Sequence, residues 1–223
     1  AKSFSLDKPT KLQLFIEMMI DFINGVVKGT FKAAQNSLIA PMALTIFFWV
    51  LLMNVMDLVP VDLIPYPAEL LGIPYLKVVP TTDLNLTAAL ALSVFILYLF
   101  YSIKSKGFVG FIKSISLHPF GPWMLPANLF IEIIDLIAKP LSLALRLYGN
   151  LYAGEMIFLL IAGMVSINLA ELTFTGIGLN LAGITLSLIW AIFHILIVVL
   201  QAFIFMMLTV VYMNMAHEKF EQH

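Results

Sequence analysis

The stretch LSLALRLYGNLYAGEMIF, residues 141–158, decides how the rest of the chain is interpreted. It is apolar enough for a membrane helix, yet it carries Arg146, the only arginine in the chain. A charge at bilayer depth costs from about 3 to more than 10 kcal/mol, so such a side chain usually faces an aqueous cavity or an opposite charge. Arg146 is therefore interpreted as a cation that awaits a carboxylate or, more simply, as a snorkelling or salt-bridged residue near a helix end.

The composition indicates a polytopic membrane protein. Of the 223 residues, 61% are hydrophobic and only 11% are charged, and the mean hydropathy is +1.01. A soluble protein of this length could not cover such a core with polar surface. The net charge of -1 argues against a nucleic-acid partner. The absence of cysteine excludes disulfides and thiolate metal sites. No phosphate-binding GxxxxGK[ST] motif or metal-ligand cluster occurs, so no cofactor is expected.

Two hydrophobic segments are unusually long. Residues 128–165 and 179–215 are each roughly twice the ~20 residues that suffice to cross a bilayer. Neither segment contains the Gly, Pro and Asn chemistry expected of a hairpin turn at its midpoint. Each is therefore predicted to form one long, steeply tilted helix, with Pro140 as a position where the first could kink.

The remaining segments complete the predicted fold, a single all-α membrane domain over residues 1–223. Residues 38–59 and 84–103 are predicted to be spanning helices. Residues 11–35 carry polar side chains on one helical face and apolar side chains on the other. That pattern predicts a helix in the membrane interface, while a surface helix docked on protein fits the pattern equally well.

The lysines predict the orientation of the chain in the membrane. Under the positive-inside rule, the segments rich in lysine face the cytoplasm. Both ends of the chain are therefore expected to be cytoplasmic, and residues 60–82 and 166–180 are expected to face outward. The lysines outside the two outward segments and the long helices are Lys2, Lys8, Lys11, Lys28, Lys32, Lys104, Lys106, Lys113 and Lys219, and the outward segments contain only Lys77.

Polar residues form a line on each long segment. At about 100° per residue, one stripe of the first segment contains Arg146, and one face of the second contains His194. Glu155 lies about half a turn from Arg146 and ~13 Å along the axis, so it cannot be a local salt-bridge partner. The members of the first stripe are Glu132, Asp135, Lys139, Arg146 and Asn150, and those of the second face are Ser187, Trp190, His194 and Gln201.

Each of these residues also has an ordinary structural explanation. His194 fits a packed, hydrogen-bonded histidine, and Asn54 and Asp57 could cap a helix end. An ordinary charged cluster at a helix end could account for Glu132, Asp135 and Lys139. Glu155 is the hardest to explain structurally, because it is an intramembrane carboxylate without a local cation. Acid–base groups on two helices and an isolated arginine favour a proton path. A proton-coupled secondary transporter and a purely structural membrane subunit are the alternatives.

The chain resembles the subunit a family of rotary F-type ATP synthases, of the bacterial type. The resemblance is carried by KPLSLALRLYGNLYAGEMIF (139–158), AIFHILIVVLQAFIFMMLTVVY (191–212) and FFWVLLMNVMDLVPVDLIP (47–65). It extends over essentially all 223 residues. Members of that family usually begin with a further spanning helix, which the chain lacks, so the sequence is expected to start after that helix.

The resemblance implies a role for each candidate residue. Arg146 would face the carboxylates of a rotating ring of c subunits, against which the two long helices would pack. Glu155 and His194 would line a half-channel open to the periplasm, and Glu132 would mark the half-channel towards the cytoplasm. The polar neighbours of the outer path would be Asn54, Asp57, Asn150 and Gln201.

The same resemblance implies the setting and the partners. The protein would be a non-catalytic, proton-translocating stator subunit in a bacterial inner membrane, and the ATP chemistry would belong to other polypeptides. Its partners would be the c ring, the b subunits of the peripheral stalk, the remainder of the complex and membrane lipid. His194 and a nearby glutamate favour protons over sodium as the coupling ion.

Overall fold

The computed structural model describes residues 10–30, 38–59, 72, 79–117, 122–168 and 174–217. Within these ranges the regular structure is entirely helical, and the predicted all-α membrane fold is confirmed. Residues 60–71 and 73–78, most of the predicted outward segment, lie outside the described residues, and so do residues 31–37. The α-helices are α1 (Lys11–Thr30), α2 (Ile39–Val55), α3 (Leu84–Leu117), α4 (Leu125–Asn168) and α5 (Phe174–His217).

Helices α4 and α5 contain 44 residues each and correspond to the two long apolar segments. At 1.5 Å per residue, a straight helix of this length extends about 66 Å, roughly twice the hydrocarbon thickness of a bilayer. Pro140 lies inside α4, and the helix continues past it. Both helices are therefore long enough to cross the bilayer at a steep inclination, which is the geometry that the sequence predicts.

Helix α3 extends well beyond the span of residues 84–103 that the sequence predicts. It continues to Leu117, with a break at Gly107, whose φ of 72° and ψ of 160° are not helical. Glycine adopts a positive φ without the steric penalty that a β-carbon imposes. Since lysines and a glycine come after residue 103, the sequence indicated a loop here, whereas the structure has a second helical piece after the break.

Helix α2 ends in a short 3-10 turn, Met56–Leu58, which positions Asp57 just beyond the last α-helical residue. The chain then becomes extended at Val59, with a φ of -76° and a ψ of 131°. Asn54 lies one turn before Asp57, so both side chains leave the same face of the helix. The end of α2 thus presents two polar groups to one side.

Three helical segments are long and apolar enough to cross a membrane, judged over the residues that the structure describes. They are Ile39–Leu58, Leu84–Ser116 and Gly176–His217. Helix α4 is not among them, and it carries five charged residues along its length. Large apolar side chains are exposed on every helix, for example Leu160 at 70% and Ile192 at 63%. A membrane would cover such a surface, whereas soluble proteins rarely expose apolar patches of this extent.

The chain divides into two compact units. The first comprises Ala1–Phe48, Val94–Leu136 and Ile204–His223, and the second comprises Trp49–Ser93 and Ile137–Phe203. In the first, Thr30 lies 3.8 Å from the sulfur of Met207, and the rings of Tyr98 and Tyr212 meet edge to face. In the second, the buried apolar side chains come mainly from α4 and α5 and include Leu143, Ala144, Leu147, Leu151, Val198 and Ala202.

Helix α1 buries one polar side chain and leaves much of its apolar surface open. Gln13 is 6% exposed and donates a hydrogen bond of 2.9 Å to Glu17, one turn along the helix. Ile23 and Val27 are the buried apolar residues of this helix. The exposed apolar residues include Leu12, Leu14, Phe15, Ile16, Met18 and Phe22.

Candidate functional site

The second compact unit contains a buried histidine–carboxylate pair. Nε2 of His194 on α5 lies 2.7 Å from Oδ2 of Asp57, in the turn that ends α2. The side chain of His194 is fully buried, and that of Asp57 is 7% exposed. An ionised carboxylate can only accept, so Nε2 then carries the hydrogen and donates it to Asp57. This bond leaves Nδ1 as the second nitrogen of the ring, and Nδ1 has no hydrogen-bond partner in the part of the chain that the structure describes.

The imidazole of His194 packs directly against the backbone of Gly154 on α4. A β-carbon on Gly154 would lie 2.6 Å from Nδ1 and closer still to Cε1, so only glycine leaves room for the ring. The indole Nε1–H of Trp190, one turn earlier on α5, donates a hydrogen bond of 3.4 Å to the carbonyl of Gly154. The edge of the Phe158 ring closes the pocket, with its centroid 5.5 Å from that of His194. Gly154 is therefore the point at which α4 and α5 approach most closely around the histidine.

A second polar contact joins the same two helices. Nδ2 of Asn150 donates a hydrogen bond of 2.7 Å to Oε1 of Gln201. Gln201 is 2% exposed, and it lies seven residues, about 10 Å, along α5 from His194. Asn150 lies one turn before Gly154 on α4, so α4 and α5 run in opposite directions here. The sequence predicted both residues as polar neighbours, and the structure joins them directly.

Arg146 lies one further turn along α4, about 6 Å from Asn150. Its side chain is half-exposed, and it forms no hydrogen bond or ion pair within the described ranges. The adjacent Leu147 is completely buried. The guanidinium therefore lies at the margin of the packed face of α4, where another component can reach it.

Glu155 lies on the opposite margin of α4 from Arg146, as the nine-residue spacing predicts. It is half-buried and has no hydrogen bond or ion pair among the described residues, and its place beside His194 in one half-channel stays a prediction. On the same margin, Tyr148 and Tyr152 stack with centroids 5.4 Å apart. The two charged side chains of this stretch are thus kept apart by the width of the helix.

Asn54 is the most unusual buried group of the second unit. Its side chain is completely buried, and neither Oδ1 nor Nδ2 has a partner among the residues described. The hydroxyl of Thr81, also completely buried, has none either. Buried polar groups that protein does not satisfy are normally hydrogen-bonded to water. Asn54 and Nδ1 of His194 therefore mark places in this unit where water is expected.

The other residues of the predicted stripe lie towards the start of α4. Glu132 is half-buried and Asp135 is exposed, and both belong to the first compact unit. Lys139, in the second unit, is 8% exposed. Glu132 therefore lies more than three turns before Arg146 on the same helix.

The sequence did not reveal two features of the site. It associated His194 with Glu155, whereas the bonded carboxylate is Asp57, which comes from a helix more than a hundred residues away. It also gave no indication that the ring of His194 packs against Gly154. Trp190 and His194 lie four residues apart on α5 and therefore share one face of the helix. This spacing was the available sequence signal that both side chains could contact the same residue of a neighbouring helix.

Comparisons with known proteins point to one family. Residues 1–214 match the family described as ATP synthase A chain. The ATP synthase subunit a of Shewanella amazonensis is 59% identical over 213 residues, covering 94% of this chain and 76% of the relative. Proteins of the same name from Shewanella baltica and Shewanella oneidensis are each 58% identical over 211 residues, with the same shares covered. The matched range includes Asp57, Arg146, His194 and Gln201.

Proposed function

The chain belongs to the ATP synthase A chain family, and on this basis we propose that it translocates protons in the membrane sector of a bacterial ATP synthase. It is a multi-pass protein of the inner membrane and a non-catalytic subunit of a larger complex. In the finer proposal, it supplies two offset half-channels and an arginine that acts on the carboxylates of a c-subunit ring. The b subunits of the peripheral stalk hold it as part of the stator.

One observation carries this proposal: the polar contacts of the second unit succeed one another towards Arg146. The pair His194–Asp57 comes first, and the pair Asn150–Gln201 comes about two turns further along α5. Arg146 is the next polar side chain along α4. A proton that entered at His194 would thus meet hydrogen-bonding groups up to the arginine.

His194 has the chemistry that a proton carrier needs. With Nε2–H bound to Asp57, the lone pair of Nδ1 can accept a proton, and the carboxylate then stabilises the cationic ring. Because Asp57 remains bonded to Nε2 in both the neutral and the protonated ring, the ring keeps its orientation. Asn54 lies one turn from Asp57 along α2 and offers further donors and acceptors for water. Glu155, beside Gly154, adds a second carboxylate to this outer path.

Arg146 converts proton movement into rotation. A ring carboxylate can enter lipid only when neutral, because an unpaired charge there is too costly. Beside the guanidinium it is favoured as the carboxylate, so it releases its proton. It regains a proton only from the other half-channel, on the far side of the arginine. The side chain is half-exposed and unpaired within the described ranges, as this role requires.

The inner half-channel is assigned to the start of α4. Glu132 lies more than three turns from Arg146, on the side away from His194. With both termini in the cytoplasm, that end of α4 faces the cytoplasm and the His194 end faces the periplasm. Each proton that crosses contributes about 2.3 kcal/mol per 100 mV of membrane potential, so several are needed for each ATP.

The alternative of a secondary transporter loses its support with the family assignment. A transporter works alone and couples a substrate to the proton. The family assignment instead makes the protein one part of an assembly, whose ATP chemistry lies elsewhere. Co-purification with a ring of small subunits is the corresponding biochemical signature.

Arg146→Lys and Arg146→Ala, in the assembled complex, test the proposal. Lysine keeps a charge but lacks the planar fork that reaches a moving carboxylate from several angles, and it can lose its proton when buried. We expect Arg146→Lys to abolish ATP-driven proton pumping and proton-driven synthesis while the complex still assembles. Arg146→Ala should also leak protons, because ring carboxylates would then pass the barrier still protonated.

The leak is measured as passive proton conductance of vesicles stripped of the catalytic head. Leu141→Ala provides the matched control, since this exposed leucine of α4 points away from the arginine. It should leave conductance and synthesis unchanged. Normal synthesis with Arg146→Lys would overturn the proposal. If Arg146→Ala does not leak, the arginine takes part in rotation but does not block the direct passage of protons.

A further inference from the structure

The part of α3 after Gly107, residues 108–117, exposes an apolar side that no part of the described chain covers. Phe108 is 66% exposed, Val109 is 68% exposed and Ile112 is 48% exposed. At 100° per residue these three side chains fall within an arc of about 100°. The piece is therefore an amphipathic half-helix with one open apolar side.

This half-helix is not needed to complete the membrane span. Residues 84–106 already rise about 35 Å at 1.5 Å each, which exceeds the ~30 Å of a bilayer's hydrocarbon core. At Gly107 the positive φ breaks the helix axis. At the end of a span of this length, the apolar side is best covered if the half-helix lies in the membrane interface, with that side turned towards the acyl chains.

Between residues 84 and 131 every charged side chain is a lysine. No aspartate or glutamate occurs between Asp83 and Glu132, whereas three lysines do. Lys104 and Lys113 are exposed, and Nζ of Lys104 lies 5.9 Å from the centroid of the Phe100 ring. On the half-helix, Lys113 lies at the edge of the apolar arc, where a long stem can follow lipid while the ammonium reaches the headgroups.

A tryptophan lies shortly after the half-helix in the sequence. Trp123, in the short turn Pro122–Met124 before α4, is 94% exposed, more than any other large apolar side chain of the described residues. Tryptophan is enriched where a membrane meets water, because its ring is apolar and its N–H is polar. Its exposure in water would be costly, and in the interface it is favourable.

We propose that residues 108–117, with Lys104 and Trp123, form a binding surface for anionic phospholipid headgroups. The apolar side lies against the acyl chains, and Lys104 and Lys113 bind the phosphates. A lysine near an anionic membrane surface contributes a preference of about fivefold. A protein partner would need an acidic surface that also covers three large apolar side chains, whereas an anionic bilayer supplies both chemistries at once.

A probe at Val109 tests the surface in the assembled ATP synthase, reconstituted in mixed bilayers. The chain has no cysteine, so Val109→Cys gives one attachment site in this subunit for a fluorescent label. The complex without the substitution, taken through the same labelling, gives the background from other subunits. Quenching is compared between brominated phosphatidylglycerol and brominated phosphatidylcholine, at equal mole fraction and in bilayers of equal total composition.

We expect phosphatidylglycerol to quench more strongly than phosphatidylcholine. The double change Lys104→Gln with Lys113→Gln should bring the two to parity, a loss of up to about fivefold per lysine. The matched double change to arginine keeps the charge and should keep the preference. Equal quenching by both lipids in the labelled complex with both lysines intact would overturn the proposal. Quenching by neither lipid would also overturn it, because another subunit or water would then cover this surface. Proton pumping should be unaffected by the glutamine changes, so this outcome is independent of the proposed proton path.

Discussion

Gly154→Ala directly tests the packing that positions the histidine. The added methyl group would lie 2.6 Å from Nδ1 of His194 and closer to Cε1, well inside van der Waals contact. The ring is completely buried, bonded to Asp57 through Nε2 and in ring contact with Phe158, and both contacts oppose its movement. Either the helices separate or the ring leaves Asp57. Overpacking of this kind costs about 1–3 kcal/mol, and losing a hydrogen bond to a charged group costs a similar ~1.5–3 kcal/mol.

The expected result is a loss of stability of about 1–3 kcal/mol and a large fall in ATP-driven proton pumping. Pumping is measured in inverted vesicles, at matched amounts of assembled complex. Gly163→Ala is the control, because a β-carbon there meets nothing within 4 Å. That variant should retain both stability and pumping.

A double-mutant cycle separates the steric effect from any other role of the glycine. If the methyl group acts through the ring, His194→Ala should remove the extra destabilisation that Gly154→Ala causes. The coupling free energy between the two positions should then be about 1–3 kcal/mol. Additive effects on the thermal stability of the complex, or normal pumping with Gly154→Ala, would refute the close approach of α4 and α5 at this point.

The remaining predictions concern the carboxylates and the second polar contact. Asp57→Leu leaves a buried His194 without a partner and should cost about 1–3 kcal/mol of stability as well as pumping, whereas Glu155→Leu should slow pumping without a loss of thermal stability. Equal stability losses in the two variants would contradict the pairing seen here. Gln201→Leu and Asn150→Leu should show a coupling of about 0.5–1.5 kcal/mol in a double-mutant cycle of thermal stability, and zero coupling would argue against their hydrogen bond.

The fold was largely predictable because it depends on length and hydropathy. Two apolar segments without turn chemistry can only be long helices, and they are. The end of α3 was not predictable in the same way. Lysines and Gly107 are typical of a loop, yet long lysine stems also suit an interfacial helix. A break in a helix and the end of a helix have the same local signal, and only the packing of the residues after Gly107 distinguishes them.

The site was predictable along each helix but not between helices. Periodicity correctly separates Arg146 from Glu155, because both belong to one rigid helix. It cannot say which side chain of α2 lies opposite His194, since that depends on the relative height of two helices that the sequence does not fix. Asp57 could equally have been a helix cap. Its distance of 2.7 Å from His194 is a property of the packed structure alone.

Several residues of this unit are locally unfavourable, and they converge on one place. A glycine inside a helix costs about 1 kcal/mol relative to alanine, and Gly154 is such a residue. Asn54 and His194 each bury polar atoms that the described protein does not satisfy, at about 1–3 kcal/mol for each group. Asn54→Leu would remove two of these polar atoms, whereas Gly154→Ala would clash with the ring of His194. Under the proposed function, these residues are explained by the passage of water and protons between the helices, and Arg146, on the margin opposite Glu155, would keep the inlet separate from the outlet. The same reasoning predicts that Asn54→Leu stabilises the unit at the expense of proton transport, whereas Gly154→Ala can stabilise it only in the absence of the His194 ring.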